Sequence, residues 1–389
     1  MDIPSAYRAG YEKARSLDPE LARTYIQHTV IDDPPADAAI AALASMEQAD
    51  AGRLIQAGME SDQQVLAEAP REFRDFFDGI EAAPPWFDSK SVLAGCRAFN
   101  LHSDAFIQAF TVVTVRNAAT LISKAFHVTG RVLSEQADRR IRQNTRHLIE
   151  IMLPYALERH GDGWKLSVRI RLVHAQVRRL IRRDGEWDES VYGAPISAAH
   201  MGLSSANFSV TLIREAMRLG AKLDGEMRHG IMQIWRYTSL LAGTPEVLLF
   251  EGDEAATARF SEVGRLCEPP PGEEAIAIAN HLVQALPGLA GKGTPLARRA
   301  MEKRVYRVSR ALLGHEIADQ LHFPRLLTAG LLPVLRCLRA SIRAIDAVSP
   351  GLAGKLRRDH FLFLLHVSTL LDMSYLLPDK LKAHETKPW

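Results

Sequence analysis

Residues 168–178 read Val168-Arg169-Ile170-Arg171-Leu172-Val173-His174-Ala175-Gln176-Val177-Arg178. On a helical period, one face of this stretch carries an apolar stripe with a single polar member, formed by Ile170, His174, Val177 and Ile181. Another face carries the guanidinium groups of Arg171, Arg178 and Arg182. The pattern therefore predicts an amphipathic helix that presents one imidazole on its buried side, with arginines close by.

A lone histidine on a buried stripe is most often a hydrogen-bonded core residue. An imidazole among arginines also suits haem, because the iron takes an axial histidine and the two propionates take charged donors. On this interpretation His174 is the iron ligand, and the propionates pair with one or more of Arg169, Arg171 and Arg178. A solvated basic face is the alternative interpretation of these arginines.

Composition limits the class of protein. The 389 residues contain 48 Lys and Arg against 46 Asp and Glu, so the overall charge does not favour a nucleic-acid partner. Three widely spaced cysteines exclude a full disulfide framework and a cysteine-rich metal site. The N-terminus lacks a signal pattern, and the longest apolar run, 361–371, is too short to span a membrane. These features predict a cytoplasmic protein without a transmembrane span.

Helical periodicity dominates the chain and predicts an all-α fold. The stretch 16–20 has the pattern of a helix start, and proline-rich breaks fall at 32–35, 83–86 and 268–273. They suggest an N-terminal helical extension (1–84), a central core (85–268) and a C-terminal helical region (269–389), packed as one compact domain. The predicted core helices are Ser91–Asn100, Ser103–Phe126, Ser134–His160 (kinked or divided at Pro154), Trp164–Arg183, Ser204–Leu219 and Asp224–Leu241.

The helix that precedes the His174 helix repeats the arrangement of one polar group on an apolar stripe. Its stripe contains Ile141, Thr145, Leu148 and Met152, and Arg142 lies beside it. Such a threonine commonly bonds back to its own helix. Two facing helices of this kind would hold a flat cofactor between His174 on one side and Arg142 with Thr145 on the other.

At these residues the chain resembles the latex-clearing protein (rubber oxygenase) family. The similarity follows the order of several short motifs: 169–178, Trp187-Asp188, 193–197, Asn207-Phe208-Ser209, Leu219-Gly220, Trp235-Arg236-Tyr237 and Leu241-Ala242-Gly243. The resemblance implies a globin-like helical core that binds b-type haem non-covalently through His174. It also assigns Arg142 and Thr145 to the side where dioxygen reacts, Arg142 to stabilise developing negative charge and Thr145 to donate a hydrogen bond or guide a proton.

The chain departs from the family at several positions. Rubber oxygenases place a lysine beside the distal threonine, where this chain has Asn144, and the arginine spacing leaves Arg140 as a substitute for Arg142. The segment expected to supply a glutamate base offers Lys124, His127 and Glu135 without a clear match. We therefore expect an oxygenase that uses dioxygen on a small apolar substrate, terpenoid or lipid-like, rather than on extracellular polymer.

Other functions compete with this one. A di-iron site would need a second partner for the single pair Glu226 and His229, and a zinc-hydrolase motif at His315-Glu316 fails because Asp319 stands where a histidine is required. A haem sensor or carrier without catalysis, and a helical interaction protein without cofactor, also stay open. Of the other histidines, His147 is expected to project about 200° away from Thr145, and His200 to be structural or exposed.

Overall fold

The computed structural model describes residues 2–128, 136–289 and 294–349, together with 351, 354, 355, 362 and 377. Every regular element within these residues is helical, which confirms the predicted all-α class. Glu135, one of the candidates for a base, lies outside the described residues, as does the side chain of Arg140.

Short helices form the N-terminal part of the chain. They are α1 (Arg8–Leu17), α2 (Pro19–His28), α3 (Pro34–Ala42), α4 (Gln48–Glu60), α5 (Gln63–Leu66) and α6 (Arg71–Asp78). The predicted helix start at 16–20 is confirmed, since the side chain of Asp18 accepts a hydrogen bond from a backbone amide in the first turn of α2. Asp33 does the same for α3, directly after the first break. Proline at the first helical position supports each start, because its missing N–H would have no partner there.

The longer helices build the middle of the protein. They are α7 (Leu93–Ala118), α8 (Ile122–Val128), α9 (Gln136–Ile151), α10 (Asp162–Asp184), α11 (Glu189–Tyr192), α12 (Ala198–Ala206), α13 (Leu212–Arg218), α14 (Gly225–Leu241) and α15 (Glu254–Cys267). The predicted break before Ser103 is a kink within α7, where His102 has φ −131° and ψ 26°. The predicted helix over 134–160 was too long, since α9 ends at Ile151, ahead of Pro154.

The predicted helix over 204–219 is interrupted by a π-helical turn at Asn207–Thr211, which joins α12 to α13. Such single turns are rare and often occur at functional sites. Here the turn places the side chain of Phe208 toward the interior of the protein.

The C-terminal part contributes α16 (Glu273–Leu289), α17 (Pro295–Leu313), α18 (His315–Gln320) and α19 (Leu331–Val348). Within the part of the chain that is described, no helix combines the length and the apolar character needed to cross a membrane.

One hydrophobic cluster, extending from Ala36 to Leu335, contains buried residues of all three predicted stretches of the chain. At its centre α7 crosses α14 in backbone contact. A Cβ atom added at Gly95 would lie 2.6 Å from the carbonyl carbon of Gly230, which is too close for two carbon atoms that are not bonded. The crossing therefore requires glycine at position 95.

A buried polar cluster attaches the N-terminal helices to the middle of the protein. Tyr25 donates a 2.5 Å hydrogen bond to Glu268 Oε1, and the backbone amide of Leu121 donates to Glu268 Oε2 at 2.7 Å. His200 Nε2 lies 3.1 Å from the hydroxyl of Tyr7 and 3.4 Å from Glu268 Oε1. His200 is only 2% exposed, so of the two roles expected for it, structural or exposed, the structure excludes the exposed one. Through Leu121 the cluster reaches the start of α8.

Candidate functional site

A cavity of about 190 Å³ lies between α7, α8, α9, α10, α12, α14 and α16, and its lining is mainly apolar. His174 and Ile170 line it from α10, and Asn144 and His147 line it from α9. His281 of α16 is a third imidazole in the lining. The two helices that the sequence predicts to face each other, α9 and α10, both line this cavity. The side chains that α9 contributes are Asn144 and His147, not the expected Arg142 and Thr145.

His174 lies on the cavity wall formed by α10. Its side chain is partly accessible, and the ring of Phe126 from α8 packs against its imidazole with centroids 6.4 Å apart. Three consecutive turns of α10 present Ser167, Ile170 and His174 on one face, because residues three and seven apart point in nearly the same direction. Ile170 and His174 of this face line the cavity, and Ser167, at its N-terminal end, is fully buried.

His147 lines the cavity and Thr145 does not, so the expectation that the two side chains project in different directions is confirmed, but it is His147 that faces the cavity. The angular argument itself was sound, since residues two apart on a helix diverge by about 200°. The error lay in placing Thr145 on the cavity side. Asn144 and His147, three residues apart, share the face that lines the cavity, and this spacing was the available sequence signal.

The hydrogen bonds of His147 fix its tautomer. Ser167 Oγ donates to the carbonyl of Gly163 at 2.6 Å, so this oxygen must accept the 3.0 Å hydrogen bond that His147 Nε2 makes with it. Nε2 therefore carries the proton, and Nδ1 keeps its lone pair. Burial lowers the pKa of His147 to about 4, so the imidazole is neutral near pH 7.

Aromatic rings surround the His147 end of the cavity. The indole of Trp235 meets the imidazole edge-on at 6.4 Å, and Phe208 stacks on the indole at 5.1 Å with an interplanar angle of 15°. Phe110 from α7 packs against Phe208 at 5.2 Å. These rings make a rigid apolar sleeve around one imidazole.

Thr145 lines a smaller neighbouring cavity of about 30 Å³, which shares Asn144 and Phe110 with the larger one. Thr145 therefore borders a space next to the cavity that contains His174, and not that cavity itself. Arg142 is partly buried on the same helix and is not among the described residues that line either cavity.

The arginines of α10 are placed away from the cavity. Arg171 makes a two-point ion pair with Asp33 at 2.6 and 2.8 Å, and Arg178 binds Asp37 at 2.8 Å. Burial raises the pKa of Asp37 even though Arg178 acts to lower it. These two arginines hold the α3 segment and are thus drawn away from the predicted propionates, while Arg169 is simply buried in the structure.

The alternative metal sites receive no support from the positions of their residues. Glu226 and His229 are both exposed at the start of α14. Among the described residues, no three side chains of histidine, cysteine, aspartate or glutamate converge as metal ligands. Lys124, considered for the base segment, pairs with Glu274 at 3.1 Å.

The side chains of the cavity fit haem in two respects. His174 supplies an imidazole to a mainly apolar cavity, as an axial ligand requires. Three polar atoms of lining residues, Asn117 Nδ2, Thr238 Oγ1 and Thr244 Oγ1, are buried without a hydrogen-bond partner in the described part of the chain. A ligand with acceptor oxygens at its edge, as haem has in its propionates, would satisfy such donors.

Fold and site together define an all-α protein whose helices enclose a mainly apolar cavity lined by histidines. The chain matches the family model described as ER-bound oxygenase mpaB/B'/Rubber oxygenase, catalytic domain, over residues 96–344. Because this match spans most of the chain and includes the residues of the cavity, the protein belongs to that oxygenase family. The resemblance seen in the sequence motifs is thereby confirmed.

Two known proteins show the same relationship. The rubber oxygenase of Streptomyces sp. (strain K30) is 23% identical over 351 residues, which cover 85% of this chain and 82% of that protein. The solved structure of latex clearing protein LCP in the closed state matches with a TM-score of 0.65 and 18% identity. That match covers 90% of this chain and 95% of the other, and it shows a shared fold.

Proposed function

We propose that the protein is an oxygenase dependent on b-type haem, which acts with dioxygen on an apolar, terpenoid or lipid-like substrate. The observation that carries the proposal is the position of His174 on the wall of a mainly apolar cavity, in a chain that belongs to an oxygenase family. When bound, haem would supply the binding and activation of dioxygen.

The chain's own residues would hold and orient the reactants. His174 would hold the cofactor from the α10 wall, and the hydroxyl and amide donors of Thr238 and Asn117 would bind its carboxylates. Ile170, Phe126 and Phe208 would exclude water and contact the apolar substrate. Arg171, Arg178 and Arg169 are left out of this set, because the first two bind aspartates and the third rests on the sequence pattern alone.

The proposed distal residues have unequal support. Thr145 lines the smaller cavity together with Asn144, and this shared space would be its route for passing a proton toward the larger cavity. Arg142 rests on the helical pattern of the sequence and on the family resemblance. Asn144 replaces the lysine of rubber oxygenases and gives this position a neutral side chain that can both donate and accept hydrogen bonds.

The test is the absorption spectrum of the full chain expressed with a haem precursor, measured beside His174→Ala. A Soret band that is lost or greatly weakened in His174→Ala, but kept in the exposed control His160→Ala, would support the iron ligand. If the wild-type protein binds added haem no better than His174→Ala does, the proposal is wrong. Consumption of dioxygen with conversion of an apolar alkene then separates an oxygenase from a haem carrier.

A further inference from the structure

His147 is a cavity residue to which the proposed function gives no role. It lines the same cavity as His174, yet its Nε2–H is already used in the hydrogen bond to Ser167. Among the described residues Nδ1 has no hydrogen-bond partner, and with Nε2 protonated in a neutral ring it can only accept one. The ring is enclosed by protein but still partly accessible, so its accessible part faces the cavity.

The position of His147 along the cavity follows from its hydrogen bond to α10. Ser167 precedes His174 by seven residues on the same helix face, which corresponds to about 10 Å along the axis. His147 therefore meets α10 at Ser167, about two helical turns from His174, while its ring lines the same cavity. This places Nδ1 where the far part of a bound substrate would lie.

The surroundings of His147 select for a particular group. The rings of Trp235 and Phe208 shield it from water, and burial keeps its imidazole neutral. A plain hydrocarbon packed into this sleeve would leave a buried acceptor unsatisfied, and a ketone or carboxylate would bring a second acceptor against it. A hydroxyl group satisfies the acceptor and leaves the rest of the ligand apolar.

We propose that His147 Nδ1 accepts a hydrogen bond from a hydroxyl group of the substrate, which makes the substrate an apolar alcohol rather than a plain hydrocarbon. The inference rests on the proposed function, because it takes the cavity that contains His174 as the substrate site. His147 acts here as a specificity-determining residue. Its hydrogen bond holds the hydroxyl end of the substrate, so that the reacting bond of the substrate lies in the part of the cavity near His174.

Calorimetric titration of the haem-loaded full chain with geraniol and with geranyl methyl ether tests the proposal. The two probes share their apolar chain and differ in the hydroxyl proton. We expect geraniol to bind about 10-fold to 100-fold more tightly, which is the effect of leaving a buried acceptor unpaired. His147→Phe should reduce this preference to about one, with the Soret band retained.

Ser167→Ala provides a second variant that leaves the imidazole in place. Without its partner, the Nε2 proton is free to move to Nδ1, so the preference for geraniol should fall while helical content by circular dichroism stays unchanged. His281→Phe changes another imidazole of the same cavity and should keep the preference.

Three results would overturn the proposal: equal binding of alcohol and ether, a preference that follows His281 instead of His147, or a low-spin haem spectrum that becomes high-spin in His147→Phe, which would make His147 an iron ligand. Failure of the proposed function has a different signature. If the wild type shows no Soret band, the same titrations on the cofactor-free chain still decide whether His147 selects an alcohol.

Discussion

The phenol of Tyr25 is fully buried and donates a 2.5 Å hydrogen bond to Glu268 Oε1, across 243 positions of sequence. Burial is the main reason that the pKa of this phenol is raised well above its usual value, and Glu268 raises it further. The hydroxyl thus keeps its proton at any ordinary pH. Tyr25→Phe removes the proton donor and leaves the ring and its packing on Phe260 in place.

The expected loss of stability in Tyr25→Phe depends on the partners that the Glu268 carboxyl group retains. After the substitution its carboxyl group still accepts from the amide of Leu121 at 2.7 Å and lies 3.4 Å from His200 Nε2. One hydrogen bond to a charged acceptor is lost, which is typically worth about 1.5–3 kcal/mol. We therefore expect a destabilisation of about 2 kcal/mol, close to a 30-fold change in the ratio of folded to unfolded protein.

Urea unfolding followed by circular dichroism measures this difference. Tyr11→Phe is the matched control, since Tyr11 is only half-buried on α1 and should change the free energy of unfolding by less than about 0.5 kcal/mol. The double variant Tyr25→Phe with Glu268→Gln should cost less than the sum of the two single changes, because both remove the same interaction. Equal effects of Tyr25→Phe and Tyr11→Phe would refute the reasoning.

Three further predictions concern the helix crossing, the α10 ion pairs and the buried imidazole. Gly95→Ala should destabilise the protein by about 3 kcal/mol, because its Cβ meets the backbone of α14, whereas Gly225→Ala, with open space around it, should be neutral or slightly stabilising in the same thermal melts. Asp33→Asn should cost about 3 kcal/mol in urea unfolding by leaving the largely buried guanidinium of Arg171 without its countercharge, while Asp62→Asn, at an exposed cap with no ion pair among the described residues, should change little. The neutral His147 should contribute stability that is fully present above pH 6.5, the ordinary pKa, and is lost as pH falls toward 4, because the unfolded chain binds the proton first. The loss amounts to at most about 3 kcal/mol. A stability profile over this range that is identical in His147→Phe would contradict the assignment.

The local parts of the fold were predictable because they depend on neighbouring residues. Asp18 before Pro19 specifies the start of α2 through one cap and one fixed backbone angle, and both act within four positions. The 3.6-residue pattern around His174 likewise specified a helix and its buried side. The π-turn at Asn207–Thr211 was not predictable in this way, since its extra residue is accommodated by packing against α7, α14 and α15.

The composition of the site was harder to predict than its location. Periodicity grouped Thr145 with Ile141 and Leu148 as one apolar stripe, but a helix buried on several sides has more than one apolar face. Which face borders the cavity depends on how α9 is rotated against α10. The hydrogen bond between His147 and Ser167 shows that rotation, and it joins residues on two different helices.

The ion pairs of the α10 arginines also could not be predicted from local sequence, because they join distant segments of the chain. Their partners Asp33 and Asp37 lie more than 130 positions earlier, and nothing in the local spacing connects the two segments. Arg171 and Arg178 are seven residues apart, on one face, while Asp33 and Asp37 are four apart, at the cap and within the first turn of α3. The two pairs therefore clamp α10 at two points along its axis and oppose its rotation. Because His174 lies between these two positions and points to another side, the N-terminal segment fixes the direction in which the imidazole faces. Arg171 and Arg178, which the sequence pattern suggested as cofactor ligands, thus orient the helix that carries His174.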